Sequence, residues 1–238
     1  MIRLRAVTKI YPASGTGSVL AVGALNLSIE CGEFVVITGR SGSGKTTVLN
    51  LIAGLARPSS GTVELEGVDL WRLPDDQQSA LRNHKLGFIF QFPSLVPSLT
   101  VLENVMLPTI FQPKADPMTA EDSAMELLNL VSLADRLNAF PRELSAGQQQ
   151  RVVIARSLIN QPAILLADEP TSNLDAATER EIMALLEGLH RRRAITVVMV
   201  THTRHLATRS TRTLELAEGR LIHDSGQLGC QRPGLTAR

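Results

Sequence analysis

Gly39-Arg40-Ser41-Gly42-Ser43-Gly44-Lys45-Thr46-Thr47 decides the fold of this chain. The stretch reads G-x-x-x-x-G-K-[ST] with a further glycine inside the loop. The apolar run Phe34-Val35-Val36-Ile37 precedes it, and Val48-Leu49-Asn50-Leu51-Ile52-Ala53-Gly54 follows. Strand, glycine loop and helix in that order make a phosphate-binding loop. The glycines let backbone N–H groups turn towards one centre, and the helix N-terminus adds its own free donors and dipole. Lys45 is placed to reach the outer phosphates of a nucleoside triphosphate, and the Thr46 hydroxyl to ligate Mg²⁺. The competing reading, a glycine-rich turn with a chance lysine, leaves the flanking strand and helix unexplained.

Working outward, Ile2 to Val7 alternates apolar and polar residues as a half-buried strand does. Tyr11-Pro12 and the small residues Ala13 to Ser18 read as a loop, and Val19 to Ile29 as a second strand. Thr62 to Gly67 is a short alternating strand after the first helix. These segments predict a small antiparallel sheet beside a parallel core. Leu86 to Phe90 is a buried strand ending at Gln91, and the Pro-interrupted apolar segment Phe92 to Leu99 follows it. Thr100-Val101-Leu102-Glu103 is a capping box opening a helix, and Thr119 to Val131 is another helix. Strand signals are absent from about 92 to 160, which predicts an inserted helical unit. Ala163 to Ala167 and Ile195 to Val200 are further buried strands, Ala176 to Arg192 a helix, and Thr213 to Ile222 a closing hairpin turning at Glu218-Gly219. From about Ser225 the chain reads as a frayed tail.

Bulk properties narrow the function. The 238 residues are 44% hydrophobic and only 3% aromatic, so the core is aliphatic. A formal net charge of +1 offers no electrostatic case for nucleic acid. The basic run Arg191-Arg192-Arg193 closes a helical pattern, where cations complement the dipole. Cys31 and Cys230 lack metal-ligand spacing and read as reduced thiols. No apolar run approaches the ~20 residues that span a bilayer, so a membrane role has to come through another chain.

Two further stretches carry chemistry. Asp168-Glu169 ends a buried strand, where open α/β sheets bind ligands; Asp168 suits Mg²⁺ and Glu169 suits polarising a water. Taken alone, the pair reads equally as a solvated strand end. Ser145 and Gln148 form S-x-x-Q at the start of the helix running from Gly147 to about Asn160. That start is either an ordinary capped helix or a second anion site built from free N–H groups and the Ser145 hydroxyl.

These motifs, in this order, resemble the ATP-binding-cassette (ABC) ATPases over about residues 2 to 223. Gly39 to Thr46 matches the Walker A motif, Gln91 the Q-loop, Leu144 to Gln148 the signature, and Ile164 to Asp168 the Walker B strand. Glu169 matches the catalytic glutamate, Ser172 to Asp175 the D-loop, and His202 the switch histidine. The resemblance implies an α/β fold: a P-loop NTPase (RecA-like) core with an N-terminal antiparallel β subdomain and an inserted helical subdomain. It implies one cassette over 1–225, with core at about 1–91 and 161–225, helical part at about 92–160, and a tail at 226–238.

The implied chemistry is ATP hydrolysis. Lys45, Glu169 and His202 act on the γ-phosphate and its water. Gly39, Arg40, Ser41, Gly42, Ser43, Gly44, Thr46 and Thr47 hold phosphates, and Thr46, Gln91 and Asp168 hold Mg²⁺. Ser145, Ala146, Gly147 and Gln148 would contact the nucleotide of a second copy, because cassettes of this family pair head to tail, and Asp175 of the D-loop is a further nucleotide-binding residue. Tyr11 either stacks on adenine or packs at the sheet edge. Ala146 stands where the signature usually has glycine. If that position needs φ > 0, alanine costs roughly 1 kcal/mol and weakens the sandwich.

Leu81 to Gln91, Leu99 to Val105 and Ala167 to Thr171 look like the bacterial branch of lipoprotein-releasing and macrolide-export ATPases. That resemblance implies a separate integral membrane permease, with the cassette at the cytoplasmic face of the cell membrane. The alternative within the family is a mechanotransducer that controls a periplasmic cell-wall hydrolase. Phe92 to Leu99 is either the docking surface for the membrane subunit or ordinary packing between subdomains. A DNA-repair cassette would call for a coiled-coil insertion or a basic face, and the sequence has neither.

Overall fold

The computed structural model describes residues 1–12, 17–112 and 117–226. Most of the expected loop at 13–18 and nearly all of the tail at 226–238 lie outside the described residues. The chain runs β1 (Ile2–Pro12), β2 (Ser18–Ile29), β3 (Phe34–Thr38), α1 (Lys45–Ile52), β4 (Ser60–Leu65), β5 (Val68–Asp69), α2 (Asp75–Lys85) and β6 (Leu86–Ile89). Three helices follow: α3 (Val101–Met106), α4 (Pro117–Leu130) and α5 (Ala146–Leu158). The chain then closes with β7 (Ile164–Asp168), α6 (Ala176–Arg193), β8 (Thr196–Val200), β9 (Arg212–Ala217) and β10 (Arg220–Asp224).

The strands make two sheets. A four-stranded antiparallel sheet has the order β2-β1-β4-β5, as the early alternation predicted. A six-stranded sheet has the order β10-β9-β3-β8-β7-β6, parallel from β9 to β6, with β10 antiparallel at one edge. The uninterrupted apolar runs of β3, β7 and β8 reflect burial on both faces, the usual condition of parallel strands. Successive residues serve different layers. Phe34 and Val36 join the cluster of α3, α4, α5 and α6, whereas Val35 and Ile37 join that of α1 and the antiparallel sheet. Each fully buried aliphatic side chain in these layers contributes about 1.5–3 kcal/mol of transfer free energy. Helix α1 therefore lies between the two sheets, and its N-terminus emerges where β3 ends.

Several local expectations change. Tyr11 and Pro12 are not in a loop: β1 continues through them, with Tyr11 opposite Val19 and Pro12 opposite Ser18. Helix α2 carries no apolar stripe, since Gln78 is its one buried residue, and so periodicity could not reveal it. Asp75 and Asp76 in its first turn, with Arg82, His84 and Lys85 in its last, suit the helix dipole. The capping box at Thr100 and Glu103 is formed, and α3 runs only to Met106, where a 3₁₀ stretch containing Pro108 takes over.

The segment Phe92 to Leu99 is not a uniformly exposed apolar face. Leu95 packs on the helical core and only Phe92 stands well out, at 65% exposure. Fully buried Asn104 pins the segment. Its side chain accepts from Val96 N–H at 2.8 Å and donates to the carbonyls of Val96, Leu99 and Thr100 at 2.9–3.1 Å.

Arg212 closes the sheet edge. It donates to both Asp224 oxygens at 2.7 and 2.8 Å, to Glu33, and to the Ser28 carbonyl at 2.9 Å, tying β9 to β10 and to the β2–β3 turn. The Arg212 hydrogen bonds hold the Asp224 carboxyl below its ordinary pKa. Such a group stabilises the fold fully above the unfolded carboxylate range and loses that contribution as pH falls through the folded-state value. Replacing Asp224 by Asn is therefore expected to cost about 2 kcal/mol at neutral pH, since it leaves the guanidinium half-paired in a partly buried position. Denaturant titrations from pH 7 downward check this: the curves of the two proteins should converge in acid. A constant gap would place the energy in packing.

Candidate functional site

The register of β3, β8 and β7 brings the candidate residues to one edge. Ile37 lies opposite Val200, which lies opposite Asp168. One residue further on, Thr201 N–H donates to the Ile37 carbonyl and Glu169 N–H to the Val200 carbonyl, each at 3.0 Å. The glycine loop, the Asp168-Glu169 pair and His202 therefore leave the sheet side by side.

The loop itself is wedged between the sheets. A Cβ on Gly39 would lie 2.3 Å from the Leu216 carbonyl oxygen, and one on Gly44 2.3 Å from that of Ala21. Gly44, at φ 98°, also starts α1 in a left-handed conformation that an L side chain would strain. Arg40, Ser41 and Gly42 are exposed at the tip, and Thr47 is half-buried. Lys45 Nζ folds back onto the carbonyls of Gly39 and Arg40, at 2.9 and 3.0 Å. Ser43 Oγ is buried with no hydrogen-bond partner. An orphaned hydroxyl and a lysine resting on its own loop suit a site that takes an anionic ligand.

Across from the loop, Thr46 Oγ1 donates to Asp168 Oδ1 at 3.2 Å. Burial pushes the Asp168 carboxyl above its ordinary pKa and neighbouring Glu169 adds to the rise, against the Thr46 hydrogen bond and the Lys45 charge. Glu169 occupies φ 46°, an unusual conformation for glutamate, and its carbonyl accepts from Ser172 N–H. His202 Nδ1 lies 2.9 Å from Glu169 Oε1. An ionised carboxylate only accepts, so Nδ1 carries the proton. Among the described residues, no group of three or more His, Cys, Asp or Glu forms a metal cluster. Thr46 and Asp168 are therefore a partial oxygen set, of the kind a cation completes with substrate phosphates and water.

Other expected residues stand apart. Gln91 is exposed just beyond β6. Tyr11 is partly exposed, and Lys9 Nζ lies 4.7 Å from its ring centre. Ser145 caps α5 in a complete capping box with Gln148. No hydrogen bond or ion pair joins Ser145 to Gln148 with the glycine loop among the described residues. Ala146 is the first helical residue and does not have positive φ, so the strain expected from alanine is absent. Gly147 is the demanding position instead: a Cβ there would lie 2.5 Å from Thr178 Cγ2. Asp175 caps α6, accepting from the N–H groups of Ala177 and Thr178 and from the Thr178 hydroxyl. Sequence reasoning missed Glu179, which accepts from Thr171 and pairs with His205 at 3.0 Å. No motif signals that contact.

The chain matches the profile of the family described as ABC transporter over residues 22–172. It is 44% identical to the lipoprotein-releasing system ATP-binding protein LolD of Geobacter metallireducens, over 94% of this chain and 99% of that protein. It is 41% identical to the macrolide export ATP-binding/permease protein MacB of Rhodopirellula baltica, over 95% of this chain and 33% of that longer protein. Among solved structures, the dimeric post-hydrolysis state of the ATP-binding cassette MJ0796, bound to ADP and Pi, superposes with a TM-score of 0.87. It is 42% identical to this chain and covers 94% of it and 98% of the solved chain.

The raised pKa of Asp168 means that its buried charge opposes folding of the nucleotide-free protein. Asp168→Asn keeps an oxygen for the Thr46 hydroxyl and removes that charge. It is expected to raise Tm by a few degrees in a thermal melt without nucleotide. A lower Tm would show that the ionised carboxylate makes a net favourable contact.

Proposed function

The chain belongs to the ABC transporter family of ATPases, and we propose from this that it is the ATP-hydrolysing subunit of a bacterial exporter or lipoprotein-extraction machine. The observation that carries the reading is the adjacency of Thr46 with Asp168 and of Glu169 with His202 beside the glycine loop. The relatives' names, lipoprotein release and macrolide export, favour this over control of a cell-wall hydrolase. Residues 1–225 form one cassette in this reading, with 92–160 as its helical part.

In the proposed mechanism the loop N–H groups and the Ser43 hydroxyl take the phosphates of ATP. Lys45 Nζ leaves the carbonyls of Gly39 and Arg40 for the outer phosphates, exchanging neutral acceptors for anionic ones. Mg²⁺, held by Thr46, Asp168 and Gln91, would supply charge neutralisation. Glu169 orients the attacking water, and His202 holds the Glu169 carboxylate through Nδ1–H. In this reading the other ring nitrogen, Nε2, is left to contact the γ-phosphate. The work is alignment and charge stabilisation, as phosphoryl transfer requires.

The α5 start lies outside the chain's own site, so a second copy supplies Ser145 to Gln148 to each nucleotide, and Asp175 lines the same junction. The relevant partner structure is a dimer. No helix among the described residues is long and apolar enough to cross a membrane; in the proposed reading force reaches the membrane through a separate permease subunit, as the name of the lipoprotein-releasing system ATP-binding protein suggests. The same reading puts the cassette at the membrane's cytoplasmic face. The exposed aromatics Phe90, Phe92 and Phe111 are the surface proposed to meet the permease.

Glu169→Gln keeps the shape of the side chain and its hydrogen bond to His202 while removing the carboxylate. It is expected to bind ATP normally, to lower turnover at least about 100-fold, and to accumulate an ATP-bound dimer in size-exclusion chromatography. Undiminished hydrolysis would remove Glu169 from the mechanism.

A further inference from the structure

Glu179 stands in the first turn of α6, where an acidic side chain suits the helix dipole. Its contacts reach beyond that helix. The hydroxyl of Thr171, a residue only 4% exposed, donates to Glu179 Oε2 at 3.3 Å. His205 Nε2 lies 3.0 Å from Glu179 Oε1, and because an ionised carboxylate only accepts, Nε2 carries the proton. Thr171 comes two residues after Glu169, and His205 three residues after His202. The segments that carry Glu169 and His202 are thus joined twice: directly, at 2.9 Å, and again through one carboxylate on a third element. Local hydrogen bonds make both linkers tight. Ser172 N–H donates to the Glu169 carbonyl and Leu174 N–H to that of Thr171, each at 3.2 Å, around buried Pro170. Thr203 N–H donates to Thr201 Oγ1 at 3.0 Å and Leu206 N–H to the Thr203 carbonyl at 3.2 Å, with Leu206 buried in the core. The direct pair is less firmly held. The His202 side chain is 62% exposed, and Glu169 keeps an unfavourable φ of 46°.

We infer that Glu179 is a positioning residue for the hydrolytic step: its carboxylate sets how the segment bearing His202 sits against the segment bearing Glu169. The inference rests on the proposed roles of Glu169 and His202, and it adds the group that aligns them. Glu179 touches neither nucleotide nor attacking water in this role; it acts through Thr171 and His205. Its own N–H donates to the carbonyl of Asp175 at 2.8 Å, so the tether is anchored in the capped first turn of α6. A pair with an exposed histidine adds little to stability, and the effect of the contact lies in geometry. A displacement of about 1 Å at a reacting group costs on the order of 100-fold in rate, so a tether worth little to folding still governs turnover. A purely local role, negative charge at the start of α6, predicts the opposite pattern: lower stability with turnover unchanged.

Steady-state ATP hydrolysis by the full-length chain with Mg²⁺, resolved into kcat and KM, tests this alongside thermal melting. Glu179→Ala is expected to lower kcat about tenfold, with KM for ATP within about twofold and Tm within a few degrees. Glu179→Gln, whose amide reaches both partners, should recover most of the loss. His205→Ala should lower kcat in the same way, and the double variant no further than the worse single one. Glu179→Ala placed in His202→Ala should cost no further turnover, because the group it aligns is gone. Unchanged kcat in Glu179→Ala overturns the inference. So does an equal further loss in the His202→Ala background, which puts the effect of Glu179 elsewhere. A rise in KM with kcat intact also overturns it, since that reports nucleotide binding. If Glu179→Ala does not fold, His205→Ala decides: full kcat there overturns the inference. Glu169→Gln separates the inference from the reading beneath it. Undiminished hydrolysis in Glu169→Gln removes the proposed site and the inference with it. Loss in Glu169→Gln with full activity in Glu179→Ala removes the inference alone.

Discussion

The register of the central parallel ladder is the constraint on which the site depends. Ile37, Val200 and Asp168 are fixed opposite one another, and every side chain of β3, β7 and β8 is buried. A slip of one residue would carry each apolar side chain to the other face and move Asp168 into or out of the core. The two aliphatic layers therefore set the site's geometry, although none of their residues touches a ligand. The loop adds a second fixed point. Gly39 and Gly44 touch carbonyl oxygens of Leu216 and Ala21 so closely that no Cβ fits, which seats the loop against β9 and β2. Catalytic positioning is a consequence of hydrophobic layering plus two backbone contacts.

This division explains what the sequence revealed. The strand ends were legible because runs buried on both faces are long and apolar, and the chemistry sits immediately after them. Ser145 and Thr100 were legible because a capping box is a local hydrogen-bond pattern, and both boxes are formed. Helix α2 was not, because its polar surface carries no period and the dipole-matched charges at its ends are weak signals. The exposure of Phe111 and the burial of Leu95 were not legible either. The position of Leu95 depends on where Asn104 pins the chain between β6 and α3, and a single buried amide bonding to three carbonyls leaves no pattern in the sequence. Tyr11 was misread for a similar reason: Tyr-Pro suggests a turn, but at the end of a hairpin strand the missing proline N–H costs little.

Two groups expected to meet phosphate, one at the loop and one at the start of α5, are occupied by the chain itself. Lys45 bonds to its own loop, and the Ser145 oxygen accepts from Gln148 N–H. They differ in what a ligand must do. In the proposed mechanism Lys45 has to be drawn away from two carbonyls, so triphosphate competes with an internal contact. Ser145 keeps its hydroxyl proton, and no hydrogen bond within the described residues uses the N–H groups of Ala146 and Gly147. These donors at the start of α5 remain available without rearrangement. The loop needs remodelling to bind, whereas the helix start needs only an anion brought to it.

In the proposed dimer the α5 start is the second half of each site, and Gly147 lies where that start meets α6. The absence of a side chain there lets α5 pack directly on Thr178, and the hydroxyl of Thr178 is held by Asp175 at 2.6 Å. Asp175 in turn is engaged by three donors, which hold its carboxyl below the usual pKa and keep it charged as the cap of α6. The glycine that matters in this signature is the one retained, because a side chain there would meet Thr178, which Asp175 holds. The one replaced by Ala146 sits in ordinary helical conformation and asks only for a backbone N–H.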